Sequence, residues 1–144
     1  MDSAEMKLRT KKLALRFIRL VQSLPTNRVA DILARQLLRS GTSIGANYRS
    51  ACRAKSRADF TNKLKIVEEE ADESLYWMEL LIEAELIKAS RLTNLYKDTN
   101  EILSMVTAAV RTIRSQDGNL TRSRRFNQDA KPMRLQTPRL VREI

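Results

Sequence analysis

The side chains in this sequence best suited to chemistry are cations. Between residues 28 and 57 stand Arg28, Arg35, Arg39, Arg49, Arg53, Lys55 and Arg57 against one acid, Asp31, a net charge of +6. Basic side chains that neutralise phosphates release bound counterions, so such a segment favours a polyanion. Arg35, Arg39, Arg49, Arg53, Lys55 and Arg57 form the candidate nucleic-acid-binding set. Phosphate contacts of this kind fix binding while reading little sequence. The competing use for these arginines is pairing with acids of the following helix, in the same subunit or the next.

Other chemistry is limited by inventory. The chain has no histidine and a single cysteine, Cys52, which excludes a zinc cluster, serine–histidine catalysis and an internal disulfide framework. A lone cysteine suits a reducing compartment, and its helical setting reads as an ordinary small core residue. Arg39-Ser40-Gly41-Thr42-Ser43 lacks the lysine and the spacing of a phosphate-binding loop. Glu69 and Glu73 share one helix face and offer two carboxylates to a divalent cation, but the other helices supply no second acidic cluster, so a solvated face is favoured. Tyr76 and Trp77 invite base stacking, yet neighbours on a helix point about 100° apart, and packing is the stronger reading. Asn47 beside the apolar stripe reads as structural, its amide satisfying nearby backbone. No catalytic residue, metal site or cofactor is expected.

The elements that position the cations are helices. Met6, Leu13, Phe17, Leu20, Val21 and Leu24 follow helical spacing, with Lys7, Arg9, Lys11, Lys12, Arg16 and Arg19 between them, so helix one runs from about Ala4 to Ser23 with a basic outer face. Pro25 ends it, and Thr26 or Asn27 can cap helix two, about Arg28 to Ala54. There Val29, Ile32, Leu33, Leu37, Ile44 and Tyr48 mark an apolar stripe. Gly41 and Gly45 interrupt it at about 1 kcal/mol each relative to alanine, which suggests a kink, a close helix crossing or a local break into two helices.

Ser56 is a cap for helix three, about Arg57 to Leu86, with Asp59 as its capping-box partner. Its stripe is Phe60, Leu64, Val67, Ala71, Leu75, Met78 and Ile82, and residues 58–85 hold nine acids against Lys63 and Lys65, a net charge of −7. Charge is thus segregated by helix. Ser90 can cap helix four, whose stripe runs through Leu92, Leu95, Tyr96, Thr99, Ile102, Leu103, Val106, Val110 and Ile113 to about Arg114.

Short links between long helices force antiparallel neighbours, so the fold class is all-α, an antiparallel up-down-up-down four-helix bundle over residues 1–115. Residues 116–144, with Gly118, Pro132, Pro138 and scattered basic side chains, read as a flexible basic tail. The length of 144 residues, 42% hydrophobic and 31% charged, fits one domain with a modest core. A net charge of +10 and a pI near 10.3 make nucleic acid or an anionic surface the first partners to consider. The N-terminus lacks the apolar region of a signal peptide and no apolar run reaches the length of a membrane span, so a cytoplasmic location is expected.

The run Gln36-Leu37-Leu38-Arg39-Ser40-Gly41-Thr42-Ser43-Ile44-Gly45-Ala46-Asn47-Tyr48-Arg49, then Asp59-Phe60, Lys63-Leu64-Lys65-Ile66 and Glu69-Glu70-Ala71-Asp72-Glu73 leading into Tyr76-Trp77-Met78, resembles a known family. These are the small bundle proteins encoded by intervening sequences of bacterial large-subunit ribosomal RNA genes. The resemblance covers about residues 5–115 and implies a non-enzymatic, ring-like homopentamer. It also implies similarity to the accessory variability determinant of diversity-generating retroelements, a basic bundle that binds nucleic acid and a reverse transcriptase. Many members carry glutamate soon after the Asn, where this chain has Ser50. Two functions follow as expectations: a nucleic-acid-binding bundle, or a protein-interaction scaffold serving a nucleic-acid enzyme.

Overall fold

The computed structural model describes residues 2–126, which form four helices: α1 (Ser3–Gln22), α2 (Arg28–Ala51), α3 (Arg57–Glu83) and α4 (Ala89–Phe126). The starts obey local rules. Asp2 caps α1 by accepting from the Glu5 amide at 2.8 Å, and Asn27 caps α2 by accepting from Ala30 at the same distance. Ser56 caps α3 through the Asp59 amide at 3.1 Å, while the Asp59 carboxylate accepts in return from the Lys55 amide. At its far end α3 closes with Glu85 in the left-handed region (φ 59°) and the Leu86 amide donating back to Leu81. α4 begins one residue ahead of Ser90, which therefore lies inside its first turn.

Helix directions follow from which residues meet. A β carbon on Gly41 would fall on Phe17 and one on Gly45 on Thr10, so α1 and α2 run oppositely. Arg9 pairs with Asp98 and Glu101 while Arg91 reaches Ser23, which sets α4 antiparallel to α1. Tyr96 meets Glu79, and Arg57 meets Gln116 and Asp117, so α3 and α4 are antiparallel too. The link of residues 52–56 spans at most roughly 17 Å, too short to return along an α2 about 36 Å long. With Ser40 against Ser74, α3 must descend beside α2 in the opposite sense. The bundle is up-down-up-down.

The core is one apolar cluster fed by every helix, including Met6, Leu13, Phe17, Leu37, Ile44, Tyr48, Leu64, Met78, Ile102 and Ile113. The expected stripes of α1, α3 and α4 face it. That of α2 is shifted: Val29 and Ile32 are 55% and 56% exposed, while the smaller Ala30, Ala34 and Gly41 lie inside. The reason is the spacing between helices. Where two backbones approach closely, small residues occupy the seam and bulky ones are turned out.

Gly41 and Gly45 mark that approach, and α2 is one unbroken helix through both. A β carbon at Gly41 would stand 2.6 Å from Cγ of the fully buried Phe17, and nearer still to Cδ2. At Gly45 it would stand 3.3 Å from the Thr10 backbone. Buried polar groups are satisfied nearby: Thr10 Oγ1 donates to the Met6 carbonyl at 2.9 Å, and the Ser40 and Ser74 hydroxyls lie 2.9 Å apart across the α2/α3 seam. Asn47 donates its amide to the Ser43 carbonyl at 2.8 Å, the structural role its position suggested.

Three helix ends differ from the sequence reading. α2 ends at Ala51 and α3 at Glu83, each about a turn early, as helix ends give way to capping turns. α4 runs on to Phe126, so residues 116–126 are helical rather than tail; the rest of the expected tail, 127–144, lies outside the described residues. Apolar spacing gave little sign of this extension because its side chains from Gln116 to Arg124 are exposed apart from the half-buried Leu120.

Gly41→Ala is expected to destabilise the fold by about 1–3 kcal/mol, even though alanine gains about 1 kcal/mol of helix propensity, because Phe17 has no room to withdraw. Urea unfolding checks this. Adding Phe17→Leu should recover part of the loss, and equal or higher stability for Gly41→Ala alone would contradict the packing described.

Candidate nucleic-acid interface

The antiparallel order brings four termini to one end of the bundle: the start of α1, the end of α2, the start of α3 and the end of α4. That end carries Lys7, Lys11, Arg49, Arg53, Lys55 and Arg57, together with Arg114, Arg122 and Arg124 of α4. Asp72, Glu73, Glu79 and Glu83 of α3, with Glu85 just past its end, occupy the opposite half, and Glu68, Glu69 and Glu70 lie about midway. Charge is therefore separated along the axis as well as by helix. A dipolar particle of this kind presents its basic end to a polyanion first.

The six candidate cations do not act as one set. Arg39 lies against α3, its guanidinium 3.3 Å from Glu70 and 2.5 Å from Glu73. Arg57 is largely buried, pairs with Asp117 at 2.7 Å and donates to Gln116 Oε1 at 2.9 Å, so it fastens the extension of α4 to the start of α3. Arg39 thus takes the competing role of pairing with acids of the following helix, whereas Arg57 is paired with an acid of α4 that the sequence reading places in the tail. Arg35 is exposed beside Asp31 and Leu38, about 21 Å along α2 from Arg49. Lys55 is exposed in the link.

Arg49 and Arg53 remain. Both are exposed, and among the described residues neither forms an ion pair. They form one wall of an open groove of ≈ 530 Å³ between α1 and α2, whose other wall carries Lys7 and Lys11. The floor is small or apolar, with Ala14, Thr42, Ala46 and the half-exposed Leu8. No carboxylate lines it. Lys7 and Lys11 line the groove beside two members of the helix-two set, to which they do not belong. Helical spacing placed them on the outer face of helix one, but their meeting with Arg49 and Arg53 depends on the Gly45–Thr10 crossing.

Helix one's other cations are partly engaged. Arg9 pairs with Asp98 and Glu101, and Arg16 reaches the other oxygen of Asp98 at 3.0 Å. These contacts tie α1 to α4 and take Arg9 and Arg16 away from the groove.

Tyr76 and Trp77 lie on α3, away from the groove. Trp77 is half-buried and donates its indole N–H to Glu73 at 3.1 Å; its ring meets the exposed Tyr76 edge-on, with centroids 5.1 Å apart. Glu73 is committed to Arg39 and Trp77, which removes it from the carboxylate pair considered for a cation. Among the described residues no group of three or more His, Cys, Asp or Glu is arranged to hold a metal ion. Burial pushes the Tyr48 hydroxyl above its ordinary range, helped by the neighbouring Cys52, so it stays protonated as core.

A family model described as 23S rRNA-intervening sequence protein matches residues 3–108. The chain belongs to that family. A solved structure from Bacteroides thetaiotaomicron VPI-5482, described as a protein with unknown function from the S23 ribosomal protein family, is similar at 40% identity and a TM-score of 0.68. The match covers 72% of this chain and 96% of that one. No curated protein matches. The intervening-sequence family thus accounts for all but the end of α4, and the groove lies wholly inside the matched residues. Among the described residues no helix is long and apolar enough to cross a membrane.

Arg39 holds the Glu73 carboxyl below its usual value, outweighing the opposite pull of partial burial, with Trp77 assisting. The folded value is depressed, so the pair's stabilisation is present above the ordinary value of 4.5 and is lost as pH falls through the folded one. Both partners are partly exposed, which limits the pair to at most about 1 kcal/mol. Urea midpoints of the wild type should exceed those of Glu73→Gln at about pH 6, and the gap should shrink as pH falls below 4.5. A gap unchanged over that range would contradict the pairing.

Proposed function

We propose that this chain is a non-enzymatic, homo-oligomeric helical bundle that binds nucleic acid electrostatically through the α1/α2 groove. The observation that carries this reading is the convergence of Lys7, Lys11, Arg49 and Arg53 on one groove without a carboxylate. Four like charges facing one another repel, and a polyanion relieves that repulsion while releasing its own counterions. Arg39 and Arg57, already neutralised, contribute to the fold instead.

Self-association is supported by apolar side chains left outside. Leu15 and Ile18 on α1 are 44% and 37% exposed, and Val29 and Ile32 on α2 more so, all in the half away from Arg49 and Arg53. Covering them with another copy buries apolar surface and sets the basic ends side by side, multiplying weak phosphate contacts. The lone Cys52 fits a cytoplasmic setting. A second reading, a scaffold or accessory subunit for a nucleic-acid enzyme, draws on the exposed Tyr76 among acids such as Asp72 and Glu79, a surface suited to a basic protein partner. A partner retained after nuclease treatment would favour it.

Charge reversal tests the main reading. Arg49→Glu with Arg53→Glu should lower affinity for a short nucleic acid at least about tenfold and reduce the salt dependence by about two phosphate contacts, whereas Arg39→Glu should change affinity little. Equal losses from both would contradict it. Sedimentation of Leu15→Glu should show a smaller particle than the wild type; an unchanged mass would contradict self-association through that face.

A further inference from the structure

We infer that the groove takes a single-stranded polynucleotide, its backbone lying between the Lys7–Lys11 and Arg49–Arg53 walls. This rests on the nucleic-acid reading above. Lys7 and Lys11 stand one turn apart on α1, a rise of about 6 Å, the scale of one nucleotide step along a backbone, while Arg49 sits in the last turn of α2 and Arg53 in the turn that follows it. The walls belong to helices whose backbones meet nearly as closely as packing permits, since even a β carbon at Gly45 would crowd Thr10 at 3.2–3.3 Å. All four cations therefore line one groove. A duplex carries its charge on two strands separated by a groove about 6 or 12 Å wide, and a protein neutralising it needs cations spread to match. Here they converge on one strand.

The floor points the same way. Leu8 is 54% exposed between the two lysines, and Ala14 and Ala46 lie near it. A duplex backbone would set hydrated phosphate and sugar against this apolar surface. An unpaired base has a flat face to lay on it, and Arg49 and Arg53 add guanidinium planes on which bases stack. No aromatic side chain lines the groove, so base contacts fall to Leu8 and those two arginines. Recognition of this kind is tolerant of sequence. RNA and DNA single strands share the chemistry.

The test is fluorescence anisotropy of the full chain with three labelled probes of about twelve nucleotides or base pairs: oligouridine RNA, oligothymidine DNA and a blunt mixed-sequence duplex. Each is titrated at about 50 and 200 mM salt. At least one single strand should bind about tenfold or more tighter than the duplex, with a log–log salt slope near −3 for four contacts at about −0.7 each. Leu8→Ser should weaken single-strand binding several-fold and leave that slope unchanged, while Arg49→Glu with Arg53→Glu should weaken binding at least about tenfold and roughly halve the slope. Circular dichroism of each variant confirms that the bundle is folded. The RNA and DNA arms tell which strand is preferred, and either preference supports the inference. Duplex binding as tight as single-strand binding, or no effect of Leu8→Ser, overturns it and leaves the nucleic-acid reading standing. No binding by any probe overturns both.

Discussion

The ring of Phe17 occupies the space that a side chain at position 41 would fill, and the arrangement of the outer surface depends on that contact. Glycine at 41 and 45 lets α1 settle into α2 with Thr10 against Gly45. Each glycine costs about 1 kcal/mol of helix propensity, and dense packing of a buried aromatic offsets it. The same approach fixes the register of the two helices. Lys7 and Lys11 then stand across from Arg49 and Arg53, residues far apart in sequence. A packing constraint inside thus sets an electrostatic feature outside.

Electrostatics divides the remaining cations by partner. Arg39 leans onto Glu70 and Glu73, Arg9 and Arg16 share Asp98, and Arg57 holds Asp117. Each of these joins two different helices, so their value lies more in specifying neighbours than in stability, since exposed pairs contribute about 0–1 kcal/mol. Among the described residues the groove set is left without ion pairs at the basic end, as are Lys55, Arg114, Arg122 and Arg124. Excess charge in the groove is concentrated where no carboxylate lines it, which is what makes a polyanion the partner to test.

Much of this was legible in the sequence. Asn27 and Ser56 announce helix starts because a short polar side chain before an apolar-periodic run has few other uses, and the α3 stripe from Phe60 to Met78 is regular enough to fix both helix and face. Val29 and Ile32 misled because apolar size is a poor guide where helices approach closely and alanine takes the seam. Past Arg114 the described side chains of α4, up to Arg124, are exposed apart from the half-buried Leu120, so they carry little periodic signal. The division of the arginines was invisible because it depends on which acids lie across the seams. Lys7 and Lys11 were recognisable as exposed, but their meeting with Arg49 and Arg53 is a tertiary fact.

The central claim is that Arg49 and Arg53 are available to a polyanion while Arg39 and Arg57 are spoken for. Nitrogen-detected spectra of the arginine Nε–H groups report on each guanidinium separately, so an oligonucleotide titration of the full chain addresses it directly. The account predicts that the Arg49 and Arg53 signals shift with added oligonucleotide while those of Arg39 and Arg57 stay in place. Shifts at Arg39 and Arg57 as large as those at Arg49 and Arg53 would contradict it.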